Sequence, residues 1–427
     1  PTSFLDANFT DADLTEADLS YGDFNNADFT NATLISAYGS YGDFDYANFT
    51  GADLTNADLE GGDFDNANFT GADLTNADLE RGEFDNANFT GADLTDADLS
   101  YGDFDNADFT DANLTNADLS YAYGENVNFT GADLTGVDLS YGDFNNADFT
   151  NATLIGAYGS YGDFDNANFT GADLTDADLE GGDFDNANFT GANLTNADLS
   201  NSSFFRGDFT GADLTNADLA YGGFGNADFT DANLTNVDFS SAYGFAYADF
   251  TGANIYGATF TDGWLPSLEN LYGGIDVEAS SISDRLTNID FTNSELSDVN
   301  FSNQDLTGAD LSSYDAFTGA DNSAYGNFNG IDFSGSDLTN ALLAYGSTFV
   351  GADFTKAILL GADLSYGSDF EDATFTDANL TNADLSNAYA PTSFLDANFT
   401  DADLTEAVLS YGDFNNADFT NATLNSA

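Results

Sequence analysis

The sequence predicts an all-β, four-sided coil, and two nested periods carry the prediction. Large apolar residues recur every 20 positions: Phe9, Phe29, Phe49, Phe69 and Phe89 begin a ladder that continues to Phe229. Within it runs a five-residue beat of Ala or Gly, Asp or Asn, Phe or Leu, a small polar residue, and a free position, as in Ala52-Asp53-Leu54-Thr55-Asn56. Five fits four times into twenty, so each turn of the chain has four sides. Such an array is quasi-one-dimensional, and its function is expected on a surface rather than in a pocket.

Each alternative to this fold fails on period. Apolar residues five apart do not stay on one face of a helix with 3.6 residues per turn. Alternating strands need a period of two. Short turn-bounded segments stacked in register satisfy both nested beats. The first column is Phe, and the second is Leu (Leu14, Leu54, Leu74, Leu94). The third is mostly Leu, broken by Gly39 and Gly159, and the fourth is mostly Phe (Phe24, Phe44, Phe64, Phe84). These form the expected core ladder.

The register slips by one near residue 240. The pattern then lapses over 264–287, which holds the single Trp, Trp264. The expected organisation is a repeat solenoid over 1–263, a loop or excursion over 264–287, and a solenoid over 288–427 continuing the same rod. Residues 391–427 repeat 1–37 at 35 of 37 positions, and 141–192 repeat 21–72 at 49 of 52. The chain is therefore expected to be a window on a larger tandem polymer.

Composition excludes much chemistry. There are 75 acidic residues against four basic ones, a formal net charge of −71. That opposes direct binding to nucleic acid or an anionic membrane and favours cations or basic proteins. Cys, His and Met are absent, which removes thiol, imidazole and soft-metal chemistry. No run of 18 apolar residues is long enough to span a bilayer. The regular apolar spacing and 42% hydrophobic content argue against the disorder such charge would otherwise suggest.

The units Ala12-Asp13-Leu14-Thr15-Glu16 and Ala27-Asp28-Phe29-Thr30-Asn31, with dozens more, resemble the pentapeptide repeat family, whose units read A(D/N)LXX. The resemblance covers most of the chain. It implies a right-handed quadrilateral β-helix with four pentapeptides per 20-residue coil. The central Phe or Leu and the preceding Ala would point inward, and the other three positions would face water.

Three surfaces follow from this arrangement. Asp58, Asp78, Asp98, Asp118 and Asp138 form one outward column where Ca²⁺ or another hard cation would bridge carboxylates; Asp23, Asp43 and Asp63 form a second. Thr10, Thr30 and their successors form a Thr column suited to cross-coil packing. Tyr21, Tyr41, Tyr101, Tyr121, Tyr141 and Tyr161 form an exposed aromatic column, a candidate contact surface together with Trp264. Asn48, Asn68, Asn88 and similar positions match the N-glycosylation triplet, which the repeat generates by itself. Catalysis is not expected, because paired-carboxylate chemistry needs one acid in a protected setting. No cofactor is expected, and Ca²⁺ is the candidate ion for the Asp columns.

The leading expectation is a structural protein: an acidic subunit of an extracellular or cell-surface fibre, partnered with itself end to end and laterally. The alternatives are a DNA-mimic binding protein aimed at a DNA-binding enzyme such as gyrase, which the family resemblance suggests, and a cation-dependent adhesin.

Overall fold

The computed structural model describes residues 3–245, 248–250, 253–255, 258–259, 309 and 328–427, except 345, 367, 391 and 411. The stretch 264–287 and Trp264 lie outside the described residues. The chain divides into two compact units, Pro1–Asp218 and Leu219–Ala427.

In the first unit each side of a coil contributes one bridged residue, paired in parallel with the residue 20 positions on. Asp28 pairs with Asn48, Thr33 with Asp53, Tyr38 with Asp58, and Asp43 with Asp63. These four columns are the four expected sides. The β-structure is a ladder of single bridges rather than of extended strands.

Backbone hydrogen bonding explains why the beat is five. In Ala27–Asn31, the Ala27 amide donates to Phe24 O (2.9 Å) and closes the preceding turn. Asp28 donates back to Ala7 O of the coil before (2.8 Å). Phe29 and Asn31 donate forward to Asn48 O (2.7 Å) and Thr50 O (3.0 Å) of the coil after. Only the Thr30 amide has no backbone acceptor, and Asp28 Oδ1 accepts it at 3.0 Å. All five N–H groups are satisfied, as a segment with two buried positions in five requires.

The turn fixes the fifth position. Among the described pentapeptides the non-Gly residues there have φ between 52° and 64°. A positive φ at the second central residue marks a type II turn, which favours Gly or Asn. The position that reads as free in the sequence is therefore restricted to the left-handed region. Asn, Asp and Gly suit it, whereas Tyr41, Tyr121, Arg81 and Lys356 adopt it at a steric cost.

The core lies along the axis of the unit. Phe29, Phe49, Phe69, Phe89, Leu54, Leu74 and Leu94 have no exposed surface. Phe9 and Leu14 are only partly buried, because the first coil has a neighbour on one face alone. Rings stack column by column: Phe49 on Phe69 at 4.8 Å and Phe69 on Phe89 at 4.7 Å, within 3° of parallel. Between columns they meet tilted, as for Phe64 and Phe69 at 5.6 Å and 56°. Both are favourable aromatic geometries.

The fourth side takes Gly rather than Ala before its Phe in most coils, Ser202 before Phe204 and Thr392 before Phe394 being exceptions. A Cβ on Gly82 would fall 2.4 Å from Phe84 Cε2, and one on Gly102 would fall 2.6 Å from Phe104 Cε2. Where the large residue is lost, at Gly124, the small position reverts to Ala122.

The second unit keeps the ladder but varies its length. Bridges Gly223–Tyr243 and Asp228–Asp249 span 20 and 21 residues, which locates the expected slip near residue 240. Coils from Asp332 to Asp384 run at 21, because Leu342 to Thr348 and Asp363 to Asp369 are six-residue sides. Ser347 and Ser368 are buried at these enlarged sides, and their hydroxyls donate to Ala344 O (3.0 Å) and Leu343 O (2.8 Å). Tyr389 to Ser393 is a four-residue side, and it coincides with the start of the second copy of residues 1–37.

Phe69→Ala is expected to destabilise the folded chain by about 3–5 kcal/mol, since a fully buried ring stacked on both faces is removed. Gly82→Ala is expected to cost about 1–3 kcal/mol by overpacking. Urea denaturation measures both, and a neutral effect of Gly82→Ala would contradict the packing described for the fourth side.

Candidate functional site

The outward surface is built from the second and fourth residues of each pentapeptide, which are half-buried and bonded to one another rather than free in water. In most units the carboxylate or amide at the second position accepts the amide two residues on and, in many where that residue is Thr, its hydroxyl as well; the amides of Asp85, Glu125 and Phe205 go instead to Asp65, Asp105 and Asp185 of the coil before. Thr30 Oγ1 donates to Asp28 Oδ1 (2.5 Å), Thr50 Oγ1 to Asn48 Oδ1 (2.6 Å), and Thr95 Oγ1 to Asp93 Oδ1 (2.6 Å). The Thr column is thus a set of hydroxyl donors as well as a packing surface. The donors hold the Asp13, Asp28 and Asp418 carboxyls below their usual range, the Thr hydroxyl being the larger cause and the backbone amide the next.

Asn side chains extend the bonds between coils. Asn48 Nδ2 donates to Asp28 Oδ1 (3.3 Å) and Thr30 Oγ1 (2.9 Å), and Asn68 Nδ2 donates to Asn48 Oδ1 (3.3 Å). The nitrogens that the glycosylation triplet would offer at Asn48 and Asn68 are already engaged down the column.

The Asp58 column stacks as expected: Asp58, Asp78, Asp98, Asp118 and Asp138 are bridged in sequence. Each carboxylate already accepts a backbone amide, from Glu80 to Asp78 (3.1 Å), Ser100 to Asp98 (3.0 Å), Ser120 to Asp118 (2.8 Å) and Ser140 to Asp138 (2.9 Å). Partial burial raises the Asp78 carboxyl, against the lowering effect of the Glu80 amide. Three carboxylates converge at one point only of this column, at Asp78, Glu80 and Asp98.

The denser cluster is on the fourth side, where the hydroxyl donor is replaced by a second acid. Asp43-Phe44-Asp45, Asp63-Phe64-Asp65, Glu83-Phe84-Asp85 and Asp103-Phe104-Asp105 stack into a double ladder, and Asp163-Phe164-Asp165 and Asp183-Phe184-Asp185 form another stretch. Oxygens of Asp43, Asp45 and Asp63 lie within 4.8 Å of one another, as do those of Asp85, Asp103 and Asp105, and those of Asp165, Asp183 and Asp185. The sequence signal for this ladder was the acid–Phe–acid triplet; reading single columns recovered Asp43 and Asp63 but missed Asp45 and Asp65.

Ionised carboxylates accept only, so they cannot bond one another. Asp45 Oδ1 and Asp85 Oδ1 are buried without a partner. Burial, then the Asp63 carboxylate, pushes the Asp45 pKa up to about 7. Burial, then the Asp103 charge, pushes Asp85 up to about 6; burial, then the Asp183 charge, does the same for Asp165. A proton shared between Asp45 and Asp63 would satisfy both groups. Three converging oxygens suit a hard cation, although calcium takes six to eight, so water would supply the rest.

The tyrosine column forms the corner beside this ladder. Tyr101, Tyr121, Tyr141 and Tyr161 stack at 4.9, 5.0 and 5.3 Å, and Tyr21 stacks on Tyr41 at 5.4 Å. All are exposed. The Arg81 guanidinium occupies the next place in the same column, 5.3 Å from the Tyr101 ring centre, and pairs with Glu80 (2.5 Å) and Glu60 (3.6 Å). Between corner and ladder lies a groove of about 260 Å³ lined by Asp65, Arg81, Glu83, Asp85, Tyr101 and Tyr123.

Fold and site together define a class: a β-bridged solenoid with a charged exterior and no enclosed cleft at these surfaces. The chain belongs to the pentapeptide repeat family. The family model of pentapeptide repeats (8 copies) matches residues 7–38, 40–262, 285–314, 327–389 and 397–427. No curated protein matches. Similar solved structures include HetL, a pentapeptide repeat protein involved in heterocyst differentiation regulation from the cyanobacterium Nostoc, at 25% identity over 52% of this chain and 87% of that one (TM-score 0.28). QnrB1, a plasmid-mediated fluoroquinolone resistance protein, shares 20% identity over 47% of this chain and 92% of its own (TM-score 0.25). A pentapeptide repeat protein of the Arabidopsis thaliana thylakoid lumen shares 36% over 25% of this chain and 63% of its own (TM-score 0.12).

The two kinds of carboxylate set opposite pH dependences. Asp45, Asp85 and Asp165 titrate above the ordinary 3.8, so the folded chain holds more protons than the unfolded one between 3.8 and about 7. Stability is then expected to fall as pH rises through that window. Asp13, Asp28 and Asp418 titrate below 3.8, so their contribution is lost as pH falls below it. Thermal melts should peak at about pH 4–5. The triple variant Asp45→Asn, Asp85→Asn, Asp165→Asn should flatten the decline toward pH 8, and an unchanged slope would refute the assignment.

Proposed function

We propose that the chain is a binding scaffold that presents carboxylates to the basic surface of a DNA-binding protein, in the place of a phosphate backbone. Charge density is the supporting observation. Residues 1–218 hold 44 acidic and two basic side chains. Over about 11 coils at ~4.8 Å each, that net charge is one per ~1.3 Å, against one per ~1.7 Å along duplex DNA. The backbone ladder holds these charges in fixed rows, so a basic groove meets a preorganised partner. The winding is taken as right-handed, the hand implied by the family resemblance.

A supercoiling assay with gyrase tests the reading. Inhibition should weaken as salt rises and should be competitive with duplex DNA. Neutralising the exposed Asp73, Asp96, Asp111 and Asp133 to Asn should weaken it about tenfold, at ~0.35 kcal/mol for each exposed ion pair. Absence of inhibition at low salt would count against gyrase as the partner, and failure to bind any basic DNA-binding enzyme would remove the reading.

A second reading, the fibre subunit, is favoured by the exposed tyrosine column and by the near-identity of 1–37 and 391–427. Adjacent copies repel at this charge, so lateral association would need cations. Micrographs of concentrated protein with and without Ca²⁺ are expected to show filaments only with the ion. Discrete particles in both would dispose of this reading.

A further inference from the structure

The tyrosines of the corner column are held in an arrangement that exposure alone does not require. Tyr101, Tyr121, Tyr141 and Tyr161 share a φ of 58–59°, so their Cα–Cβ bonds are aligned. Backbone bonds lock that alignment: Tyr101 N to Ser120 O (3.0 Å), Tyr121 N to Ser140 O (2.9 Å), and Tyr141 N to Ser160 O (3.1 Å). The rings are consequently near parallel, at 2°, 6° and 16° between neighbours. Each inner ring has both faces against a neighbour, and its exposed surface (43–53% across the four residues) is left to the edge and hydroxyl. Gly181 ends the row, and the Tyr161 ring leans over it, 2.6 Å from where a Cβ would lie; the Tyr41 ring leans over Gly61 in the same way.

Composition directs oxidation to these rings. The chain has no Cys, Met or His and a single Trp, against 21 Tyr. The usual competitors for an oxidant are therefore almost absent. A proton acceptor is also in place at one pair: the Tyr41 hydroxyl donates to Glu60 Oε1 at 3.1 Å.

We propose that the tyrosine column is a site of oxidative cross-linking, in which neighbouring coils are joined covalently as dityrosine by a one-electron oxidant of the peroxidase or photo-oxidised metal-complex class. Two oxidant equivalents each take one electron from one of two stacked phenols. Each phenol loses its hydroxyl proton, to Glu60 at Tyr41 and to water elsewhere, and becomes a phenoxyl radical. The radicals couple through the ring carbons beside the oxygens, forming one C–C bond. Loss of the two ring hydrogens to the two oxygens restores both phenols. The balance is two tyrosines to one dityrosine, two electrons and two protons. The rings must tip together to bond, and exposed side chains do so by rotating at χ1 and χ2 without moving the turn. Each bond closes a loop of one coil.

The test is photo-oxidation of the full chain with tris(bipyridine)ruthenium(II) and persulfate, diluted so that molecules rarely meet. Dityrosine fluorescence is expected with no gain in mass on a denaturing gel. Peptide mass spectrometry should find Tyr101–Tyr121, Tyr121–Tyr141, Tyr141–Tyr161 and Tyr21–Tyr41. Tyr46 and Tyr123, more exposed than the four rings of the row but without a ring stacked on them among the described residues, serve as internal references and should remain uncoupled. The double variant Tyr121→Phe, Tyr141→Phe keeps the stacked shape but removes three of the four phenol pairs, and the fluorescence should drop several-fold. Cross-links found only between molecules, coupling at Tyr46 or Tyr123 to the same extent, or unchanged fluorescence in the double variant would each overturn the proposal.

Discussion

One constraint organises this protein: among the described residues the fourth amide of each pentapeptide has no backbone acceptor. The other four amides close the turn or reach an adjacent coil, as in Ala27–Asn31. A side-chain oxygen must take the remaining one: Asp28 and many counterparts do so from two residues earlier, whereas Asp65 and Asp105 accept the amides of Asp85 and Glu125 one coil on. The acidity of the chain therefore begins as a structural device. Asp and Asn serve it equally well, and the preference for Asp over Asn at many positions is surplus to the fold.

That surplus is distributed unevenly. Where Thr follows, the hydroxyl compensates the carboxylate and holds its proton affinity down, as at Asp28. Where a second acid follows, as in Asp43-Phe44-Asp45, donors run out and the carboxylates crowd. The same backbone thus generates quiet rows and crowded ones, most densely on the fourth side and once at Asp78, Glu80 and Asp98, from a change at a single position per coil. Frustration of this kind is relieved by a proton, a cation or a basic partner, all of which bring positive charge to the same row.

Much of this was legible in the sequence. The twenty- and five-residue periods fixed four sides and assigned Phe49, Leu54 and Phe69 to the interior, because burial imposes its own spacing. The Asp58 and Tyr101 columns align in the structure, since a strict repeat makes sequence distance a spatial coordinate. Three features were not visible. The restriction of the fifth position to positive φ was hidden by its chemical variety, with Tyr41 and Arg81 beside Asn and Gly. The pairing of Asp45 with Asp63 was missed because columns were read singly rather than side by side. The enlarged sides at Leu342–Thr348 and Asp363–Asp369 interrupt a pattern too loose in that region for counting to locate them.

The elasticity of the ladder bears on how such a chain lengthens. The second copy of residues 1–37 begins 390 residues after the first, an offset that is not a whole number of 20-residue turns. Within the second unit, sides of four and six residues shift the register by one, and the bridges resume on either side of them. A side can therefore gain or lose one residue while the bridges beyond it persist, so that an imprecise join between repeats is tolerated where it changes a side by a single residue.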